Sequence, residues 1–241
     1  MSVDLLRVRA RNNDVAVLRY SPRRPRAAVS IVAGHGYSSS KHNLDALCSF
    51  LSSHGFAIYS LDFPGHKLGA SGGTLRGVED CIDAMTAVVA RAREANEGAP
   101  VYTLGHSMGA MTALFTAASD PTISGVACVT TGYGRPSALS ALRAAGVADF
   151  RSSYVDGVDL PMLVDGIDAW YDRLLPNLAG RPQLYIAATR DAMVNAASVR
   201  ELYDRAPEPK TLVTIESDHT NAGENARAEI LQWFNNLHPR N

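Results

Sequence analysis

The chain alternates between short apolar runs and segments with helical periodicity over most of its length. The apolar runs are rich in β-branched residues and lack regular polar alternation, which is typical of strands buried on both faces. Separated by helices, such strands predict a mostly parallel sheet covered by helices on both sides. The predicted strands are AAVSIVAG (27–34), FAIYSLD (56–62), PVYTLG (100–105), SGVACVTTG (124–132), PQLYIAAT (182–189) and KTLVTIES (210–217).

The segments between these runs carry an apolar residue at every third or fourth position, which places those side chains on one helix face. Val78, Ile82 and Met85 form such a stripe, and Gly55 is typical of a helix end. The predicted helices cover HNLDALCSFLSSHG (42–55), residues 77–96, residues 107–119, a segment near 196–205, and residues 222–237.

The alternation stops between the strands that end at 132 and begin at 182. A structureless loop of that length is uncommon, so we expect small helices lying over the sheet. We predict an α/β core made of residues 1–134 and 181–241, with a cap insertion at 135–180. Apolar residues that support the small helices are Leu139, Leu142, Val147, Phe150, Leu160, Leu163, Ile167 and Trp170.

Composition excludes several classes of protein. With 241 residues, of which 46% are hydrophobic and 20% charged, the chain fits one large soluble domain. A net charge of −1 provides no general attraction to nucleic acid or to anionic membranes. The sequence shows no apolar run long enough to span a bilayer and no apolar stretch typical of a signal peptide. We expect a cytoplasmic protein, and nothing in the sequence indicates an oligomeric state.

The three cysteines lie in apolar surroundings without CxxC spacing. A free cysteine in such surroundings behaves as a small core residue. We therefore expect neither a disulfide framework nor a zinc site, and we predict no cofactor and no metal.

A serine between two glycines marks the candidate nucleophile. GHSMG (105–109) lies where a predicted strand ends and a predicted helix begins. Ser107 must adopt a strained backbone at such a turn, and the glycines allow neighbouring segments to approach. The pattern G-x-S-x-G in this context is typical of a nucleophile held above the carboxyl edge of a sheet. The alternative is a turn that only packs a helix closely on a strand.

A serine nucleophile requires a base, and His219 is the best placed of the seven histidines. It follows the last predicted strand and precedes the last helix, at the same edge of the sheet as the serine. His42 and His54 flank a helix and are expected in solvent. His106 is expected to point away from the serine side chain, and His238 lies near the end of the chain.

The base needs a carboxylate to orient its ring. Asp191 comes just after the strand that ends near Thr189, so it also lies at the carboxyl edge. Asp218 is adjacent to His219 and is the rival, although neighbouring side chains diverge. We favour Asp191.

Two backbone N–H groups are candidates for stabilising an oxyanion. Met108 follows the nucleophile at the helix start, and Tyr37 lies in the loop after the first buried strand. Gly34 and Gly36 let that loop bend inward. His35 is expected to be a structural hydrogen-bonding residue, and the aspartate of LDFPGH is expected to brace the glycine-rich loop that follows it.

In this order and spacing, HGY, LDFPGH, GHSMG, RDAMV and SDH resemble the motifs of the α/β-hydrolase superfamily from about residue 27 onward. GHSMG with an upstream HG is most similar to the branch of monoacylglycerol lipases, carboxylesterases and serine aminopeptidase-like hydrolases. The resemblance implies the α/β-hydrolase fold, with Ser107, Asp191 and His219 as a catalytic triad. It also implies an oxyanion hole formed by the N–H groups of Tyr37 and Met108.

The expected function is hydrolysis of small-molecule carboxylic esters with short to medium acyl chains, through an acyl-enzyme intermediate. The alternatives are a thioesterase or acyltransferase that uses the same triad, and a ligand sensor that turns over slowly. The predicted cap holds six aspartates against four arginines, which argues against a broad apolar lipase lid. Its Phe150, Leu163 and Trp170 are candidates for lining a modest acyl pocket.

Overall fold

The computed structural model describes residues 1–11, 13–24, 29–134 and 150–239. Within them, eight strands form a single sheet. The strands are β1 (Ser2–Arg9), β2 (Asp14–Ser21), β3 (Ser30–Gly34), β4 (Ala57–Leu61), β5 (Val101–His106), β6 (Gly125–Val129), β7 (Gln183–Ala188) and β8 (Lys210–Ile215).

The strand order across the sheet is β1-β2-β4-β3-β5-β6-β7-β8. The strands from β3 to β8 run parallel to one another, while β2 pairs antiparallel with both β1 and β4. The predicted mostly parallel sheet is therefore confirmed. The antiparallel pair β1 and β2 was not predicted, because most side chains of the edge strand β1 are exposed and form no apolar run.

The predicted helices are confirmed, with one difference near the end of the chain. The expected helix at 222–237 is two helices, which meet at Ala226. The α-helices of the described residues are α1 (Asp45–Ser53), α2 (Val78–Ala95), α3 (Met108–Ser119), α4 (Leu160–Leu163), α5 (Ile167–Leu174), α6 (Ala196–Arg205), α7 (Ala222–Asn225) and α8 (Arg227–Leu237).

Helices cover both faces of the sheet and give the molecule two apolar layers. Side chains of α2, α3, α5 and α6 pack on one face, and those of α1 and α8 pack on the other. Successive strand residues serve opposite layers, so Ile58 packs with α1 and α8 while Tyr59 packs with α2. None of the described helices is long and apolar enough to cross a bilayer. The three cysteines are free and buried, as expected.

The described part of the insertion consists of short helices. Phe150–Tyr154 and Leu175–Leu178 form 3₁₀ turns, on either side of α4 and α5. The ring of Tyr171 in α5 packs 4.9 Å from that of Phe115 in α3, so this part joins the apolar layer beside α3. The division of the chain into core and cap stays a prediction. The following predicted cap residues lie in 135–149, outside the described residues: Leu139, Leu142 and Val147.

Candidate active site

Ser107 occupies a strained turn between β5 and α3. Its φ is 56° and its ψ is −118°, a region that non-glycine residues rarely adopt. The Ser107 N–H donates to the Val129 carbonyl at 2.9 Å, and the Ser107 carbonyl accepts from Ala110 N–H at 3.0 Å. These bonds to β6 and to the first turn of α3 hold the strained residue in place.

The flanking glycines are required by close backbone approaches. A Cβ added to Gly105 would overlap the carbonyl group of Gly109. A Cβ added to Gly109 would overlap the carbonyl group of Gly34 in β3. The glycines therefore let α3 begin directly against the ends of β3 and β5, so that Ser107 lies at the carboxyl edge of the sheet.

Three side chains from separate loops form a continuous hydrogen-bonded chain. His219 Nδ1 lies 2.7 Å from Asp191 Oδ2, and His219 Nε2 lies 3.0 Å from Ser107 Oγ. A carboxylate only accepts hydrogen bonds, so Nδ1 carries the proton and Nε2 is positioned to accept from the serine hydroxyl. The structure thus brings together the three residues that the sequence analysis selected.

Asp191 is held as an anion by several donors. Burial raises the pKa of this carboxyl, but hydrogen bonds from His219 and from the N–H groups of Val194 and Met193 lower it more, and the net pKa lies below its ordinary value. The Val194 and Met193 N–H groups donate to Asp191 Oδ1 at 2.7 and 2.8 Å. Asp191 Oδ2 therefore faces His219, while Asp191 Oδ1 accepts hydrogen bonds from the backbone of its own loop.

The rival carboxylate, Asp218, is oriented elsewhere. Asp218 Oδ1 accepts from Asn221 N–H at 2.9 Å, and Oδ2 accepts from the Asn221 side-chain amide at 2.9 Å. These bonds lower the pKa of Asp218, whose side chain is exposed. Asp218 therefore organises the turn before α7, and Asp191 is the carboxylate hydrogen-bonded to His219.

The two predicted oxyanion donors lie in segments adjacent to the serine. Met108 is the first residue of α3, where a backbone N–H has no acceptor within the helix. The loop after β3 passes beside the turn, since a Cβ on Gly36 would lie 3.4 Å from Ser107 Cβ. In that loop the Tyr37 hydroxyl donates to the Val158 carbonyl of the insertion at 3.0 Å. The oxyanion role of Tyr37 and Met108 stays a prediction.

An open pocket of about 210 Å³ lies beside Ser107 and His219. One group of lining side chains is polar and another is apolar. The polar and charged lining residues are Ser38, Ser39, Asn43, His106, Arg151 and Thr220. The apolar side chains of the lining are Tyr37, Leu44, Leu68, Leu160 and Met193.

The sequence analysis named three candidates for lining an acyl pocket, and none of them lines the pocket beside Ser107. Leu163 and Trp170 line a second pocket, of about 170 Å³, near the start of α2. Phe150 is 74% exposed and does not line the pocket beside Ser107. The insertion contributes Arg151 and Leu160 instead. Helical spacing indicates which face of a helix is apolar. It does not indicate which part of the sheet that face packs against.

Other histidines have structural partners. His106 Nε2 lies 2.8 Å from the backbone carbonyl oxygen of His219, so the residue before Ser107 contacts the loop that carries His219. His35 is fully buried, and its Nε2 accepts from Phe63 N–H at 3.0 Å, in agreement with the expected structural role. Burial and nearby His66 lower the pKa of His35 to about 3, so its ring is neutral. His54, expected in solvent, is half-buried.

A buried ion pair lies behind the loop that follows β3. The side chains of Lys41 and Asp62 contact each other at 3% and 0% exposure. Asp62 Oδ1 also accepts from Lys41 N–H, and Oδ2 accepts from Ala70 N–H, both at 2.7 Å. Burial raises the pKa of Asp62, but these donors lower it more, and the net pKa lies below its ordinary value. Asp62 thus braces its glycine-rich loop as expected, and it also anchors the loop that carries Tyr37.

Lys41→Met is expected to lower the free energy of unfolding by about 3–5 kcal/mol, because it leaves a buried carboxylate without its cation. Denaturant unfolding at neutral pH measures this. Because the folded-state pKa of Asp62 is depressed, the stabilisation is present at neutral pH. It is lost as the pH falls through that pKa, so the difference from wild type shrinks in acid.

The matched control is Lys67→Met. Lys67 pairs with Asp156 at 3.0 Å, but these side chains are 47% and 61% exposed. An exposed pair contributes at most about 1 kcal/mol, so this variant is expected to unfold near wild type. Equal losses in the two lysine variants would contradict the bracing role of the buried pair.

Comparison with known proteins adds a family and a fold. The family model described as "Serine aminopeptidase, S33" matches residues 23–166, well over half of the chain. No curated protein matches the chain significantly.

Several solved structures are similar over nearly their whole length. The Pyrococcus furiosus esterase Pf2001 is 18% identical with a TM-score of 0.73, and the match covers 98% of this chain and 92% of that one. Est1E from Butyrivibrio proteoclasticus, solved with bound ferulic acid, is 18% identical with a TM-score of 0.75, covering 97% and 98%. XC6422 from Xanthomonas campestris, described as an α/β serine hydrolase without a lid, is 16% identical with a TM-score of 0.71, covering 100% and 97%. These likenesses confirm the predicted α/β-hydrolase fold.

Proposed function

Because the chain belongs to the serine aminopeptidase S33 family of hydrolases, we propose that it cleaves carboxylic esters of short to medium acyl chains through an acyl-enzyme intermediate. The observation that carries this proposal is the hydrogen-bonded chain from Asp191 through His219 to Ser107, beside an open pocket. A nucleophile, a base and a group that orients the base are the parts that acyl transfer requires.

In the first half of the reaction, Ser107 Oγ attacks the ester carbonyl while His219 Nε2 takes the hydroxyl proton. The carbonyl oxygen becomes an oxyanion, which the N–H groups of Met108 and Tyr37 stabilise. His219 is then a cation, and the ionised Asp191 beside Nδ1 stabilises it. Collapse of this intermediate breaks the bond to the alcohol oxygen, which leaves with the proton from Nε2.

In the second half, water attacks the acyl-serine. His219 Nε2 takes a proton from the water and returns it to Ser107 Oγ as the acid is released. The strained Ser107 backbone keeps the hydroxyl at the edge of the sheet throughout, since its bonds to β6 and α3 do not depend on the acyl group.

The size of the pocket supports small substrates. Its volume of about 210 Å³ is below the ~300–1,000 Å³ that is typical of pockets for drug-sized ligands. Its apolar side chains suit a short hydrocarbon segment, and its polar side chains suit an oxygen-bearing group.

Hydrolysis of p-nitrophenyl acetate and butyrate by the purified protein tests the proposal. Labelling with a fluorophosphonate followed by peptide mass spectrometry tests whether Ser107 is the nucleophile. Thioesters and aminoacyl p-nitroanilides belong in the same panel, and faster cleavage of either would replace esters as the substrate class. Stoichiometric acylation of Ser107 without turnover would indicate a ligand sensor instead.

Chain length provides a second test. We expect kcat/KM to rise over short acyl chains, since each buried methylene contributes up to about 0.8 kcal/mol, or nearly fourfold. It is expected to fall beyond roughly eight to ten carbons, because a small pocket is then full. A p-nitrophenyl ester series measured below and above the micellar threshold checks this. A jump in rate on long-chain triglyceride emulsions would contradict it and indicate a lipase lid.

A further inference from the structure

The loop that follows β3 carries Tyr37, whose backbone N–H is one of the two proposed oxyanion donors. On one side of Tyr37, His35 Nε2 accepts from the Phe63 N–H at 3.0 Å. On the other side, the Lys41 N–H donates to Asp62 Oδ1 at 2.7 Å. Both ends of the loop are therefore fixed to the residues that directly follow β4, and Tyr37 lies between these two points.

The side chain of Tyr37 connects the middle of this loop to the insertion. Tyr37 is buried, and its hydroxyl donates to the Val158 carbonyl at 3.0 Å. Its ring lies edge-on to the ring of His66, with 5.8 Å between the ring centroids. His66 in turn pairs through its backbone with Val155 of the insertion. Both of these contacts therefore lead from the proposed oxyanion donor to the insertion.

The carbonyl that accepts from Tyr37 is itself held in place. The Val158 N–H donates to the Leu75 carbonyl at 2.9 Å, and the Leu75 N–H donates to the Asp156 carbonyl at 2.8 Å. The Asp156 N–H donates to the Gly65 carbonyl at 2.8 Å. These backbone bonds join the insertion to the loop that follows β4, so the Tyr37 hydroxyl bonds to an acceptor with a defined position.

Backbone strain lies directly beside the proposed donor. Ser38 has a φ of 57°, in the left-handed region that residues other than glycine rarely adopt. Such a conformation persists only where the surrounding structure imposes it. Ser38 also lines the pocket beside Ser107. We therefore expect the loop to relax when the side chain of Tyr37 loses its bond to the insertion, and the Tyr37 N–H to change direction.

From these contacts we propose that the Tyr37 hydroxyl is a positioning group for the oxyanion hole. Its bond to the Val158 carbonyl holds the Tyr37 N–H toward the oxygen of a carbonyl attacked by Ser107. The insertion thereby contributes to stabilising the transition state, in addition to lining the pocket. The inference rests on the proposed ester hydrolysis, and the hydroxyl takes no part in the bond-breaking steps.

Tyr37→Phe tests the proposal, because it removes the hydroxyl and keeps both the ring and the backbone N–H. We expect kcat on p-nitrophenyl butyrate to fall on the order of tenfold, the usual effect of depriving a buried acceptor of its donor. The loss is smaller than the roughly 10²–10³-fold that follows removal of an oxyanion donor itself. KM is expected to stay unchanged, since the oxyanion exists only in the transition state. A raised KM with unchanged kcat would overturn the proposal and indicate a hydroxyl that binds substrate.

The matched control is Tyr171→Phe. Tyr171 is also a buried tyrosine, and its hydroxyl lies 2.9 Å from Thr131 Oγ1, so it too joins the insertion to the core. The described contacts of this hydroxyl do not involve the loop that carries Tyr37. The two variants are expected to lose similar thermal stability, while kcat falls only in Tyr37→Phe. Equal losses of kcat in both variants would indicate a general effect of loosening the insertion and would overturn the proposal.

Two measurements without turnover separate the role of the hydroxyl from the proposed function. A trifluoromethyl ketone with a butyl chain forms an adduct in which Ser107 Oγ bonds to the ketone carbon, His219 takes the hydroxyl proton and the ketone oxygen becomes an oxyanion. Calorimetry is expected to show about the same loss of affinity for this ketone in Tyr37→Phe as the loss in kcat/KM. Hydrogen exchange is expected to be faster at the amides of residues 35–41 in Tyr37→Phe, but not in Tyr171→Phe.

The outcomes are distinguishable. Ester hydrolysis by the wild type, with kcat and ketone affinity unchanged in Tyr37→Phe, would overturn the role of the hydroxyl and leave the proposed function standing. Weaker ketone binding and faster exchange in Tyr37→Phe, without hydrolysis of any ester by the wild type, would support the role of the hydroxyl and reject the proposed function.

Discussion

Ser107→Ala is expected to lower ester hydrolysis about 10⁶-fold in kcat, because removing a triad nucleophile costs as much as removing the whole constellation. The substitution deletes the hydroxyl that lies 3.0 Å from His219 Nε2 and leaves the backbone bonds of the turn to Val129 and Ala110 in place. The variant is therefore expected to fold, and alanine meets the same strain at a φ of 56° that serine does.

The measurement is kcat/KM on p-nitrophenyl butyrate, with thermal unfolding of the same preparation. Ser52→Ala is the matched control, since Ser52 is a buried serine on α1 whose Oγ has no hydrogen-bond partner among the described residues. It is expected to retain wild-type turnover. Near-wild-type turnover by Ser107→Ala, purified free of host esterases, would reject the assignment of the nucleophile.

Asp191→Asn is expected to lower kcat about 10⁴-fold, because an amide in place of the carboxylate favours the wrong histidine tautomer. The carboxylate now accepts from His219 Nδ1 at 2.7 Å through Oδ2. Asparagine presents an N–H₂ group there, which donates to Nδ1 and moves the imidazole proton to Nε2. His219 then cannot accept the serine proton. The asparagine Oδ1 keeps the bonds from Met193 and Val194, so the loop is retained.

Asp218→Asn is the matched control and is expected to cost less than about tenfold, because asparagine still accepts from the Asn221 backbone. Measuring kcat for both variants decides between the two carboxylates, and the reverse ranking would make Asp218 the group that orients the base. The Asp191 variant is also expected to lose stability at neutral pH. In the wild-type protein the folded-state pKa of Asp191 is depressed, so this carboxylate stabilises the fold at pH values above its unfolded-state pKa. That stabilisation disappears as the pH falls through the folded-state pKa, and the difference between wild type and variant shrinks with it.

Much of the fold could be predicted because its signals are local. The parallel strands are apolar on both faces, and the helices between them repeat with a period near 3.6 residues, so each element is indicated within about ten residues of sequence. The edge strand β1 was missed for the corresponding reason. Its side chains are mostly exposed, so it lacks the apolar run that marks a central strand. What holds it in the sheet is its pairing with β2, from Ser2 opposite Ser21 to Arg9 opposite Asp14, and no local sequence signal indicates that pairing.

The candidate nucleophile, base and acid could also be predicted from local signals, because each follows the end of a strand in a parallel sheet. The carboxyl ends of such strands meet at one edge, so Ser107, Asp191 and His219 could be selected from their positions in the chain. The sequence left Asp218 as an alternative. Which carboxylate contacts Nδ1 depends on side-chain direction, and the bonds of Asp218 to Asn221 exist only in the folded turn.

The pocket was decided by the tertiary structure alone. Arg151 and Leu160 come from the insertion and Met193 from the loop after β7, and the periodicity of a sequence does not show where such distant segments meet. The burial of Lys41 was also decided by the tertiary structure: lysine side chains are usually exposed, and this one is buried because Asp62 lies opposite it. Sequence periodicity reports which face of an element is apolar. The partner of a charged side chain is chosen by long-range packing, where desolvation, charge pairing and hydrogen bonding balance only once all the segments are in place.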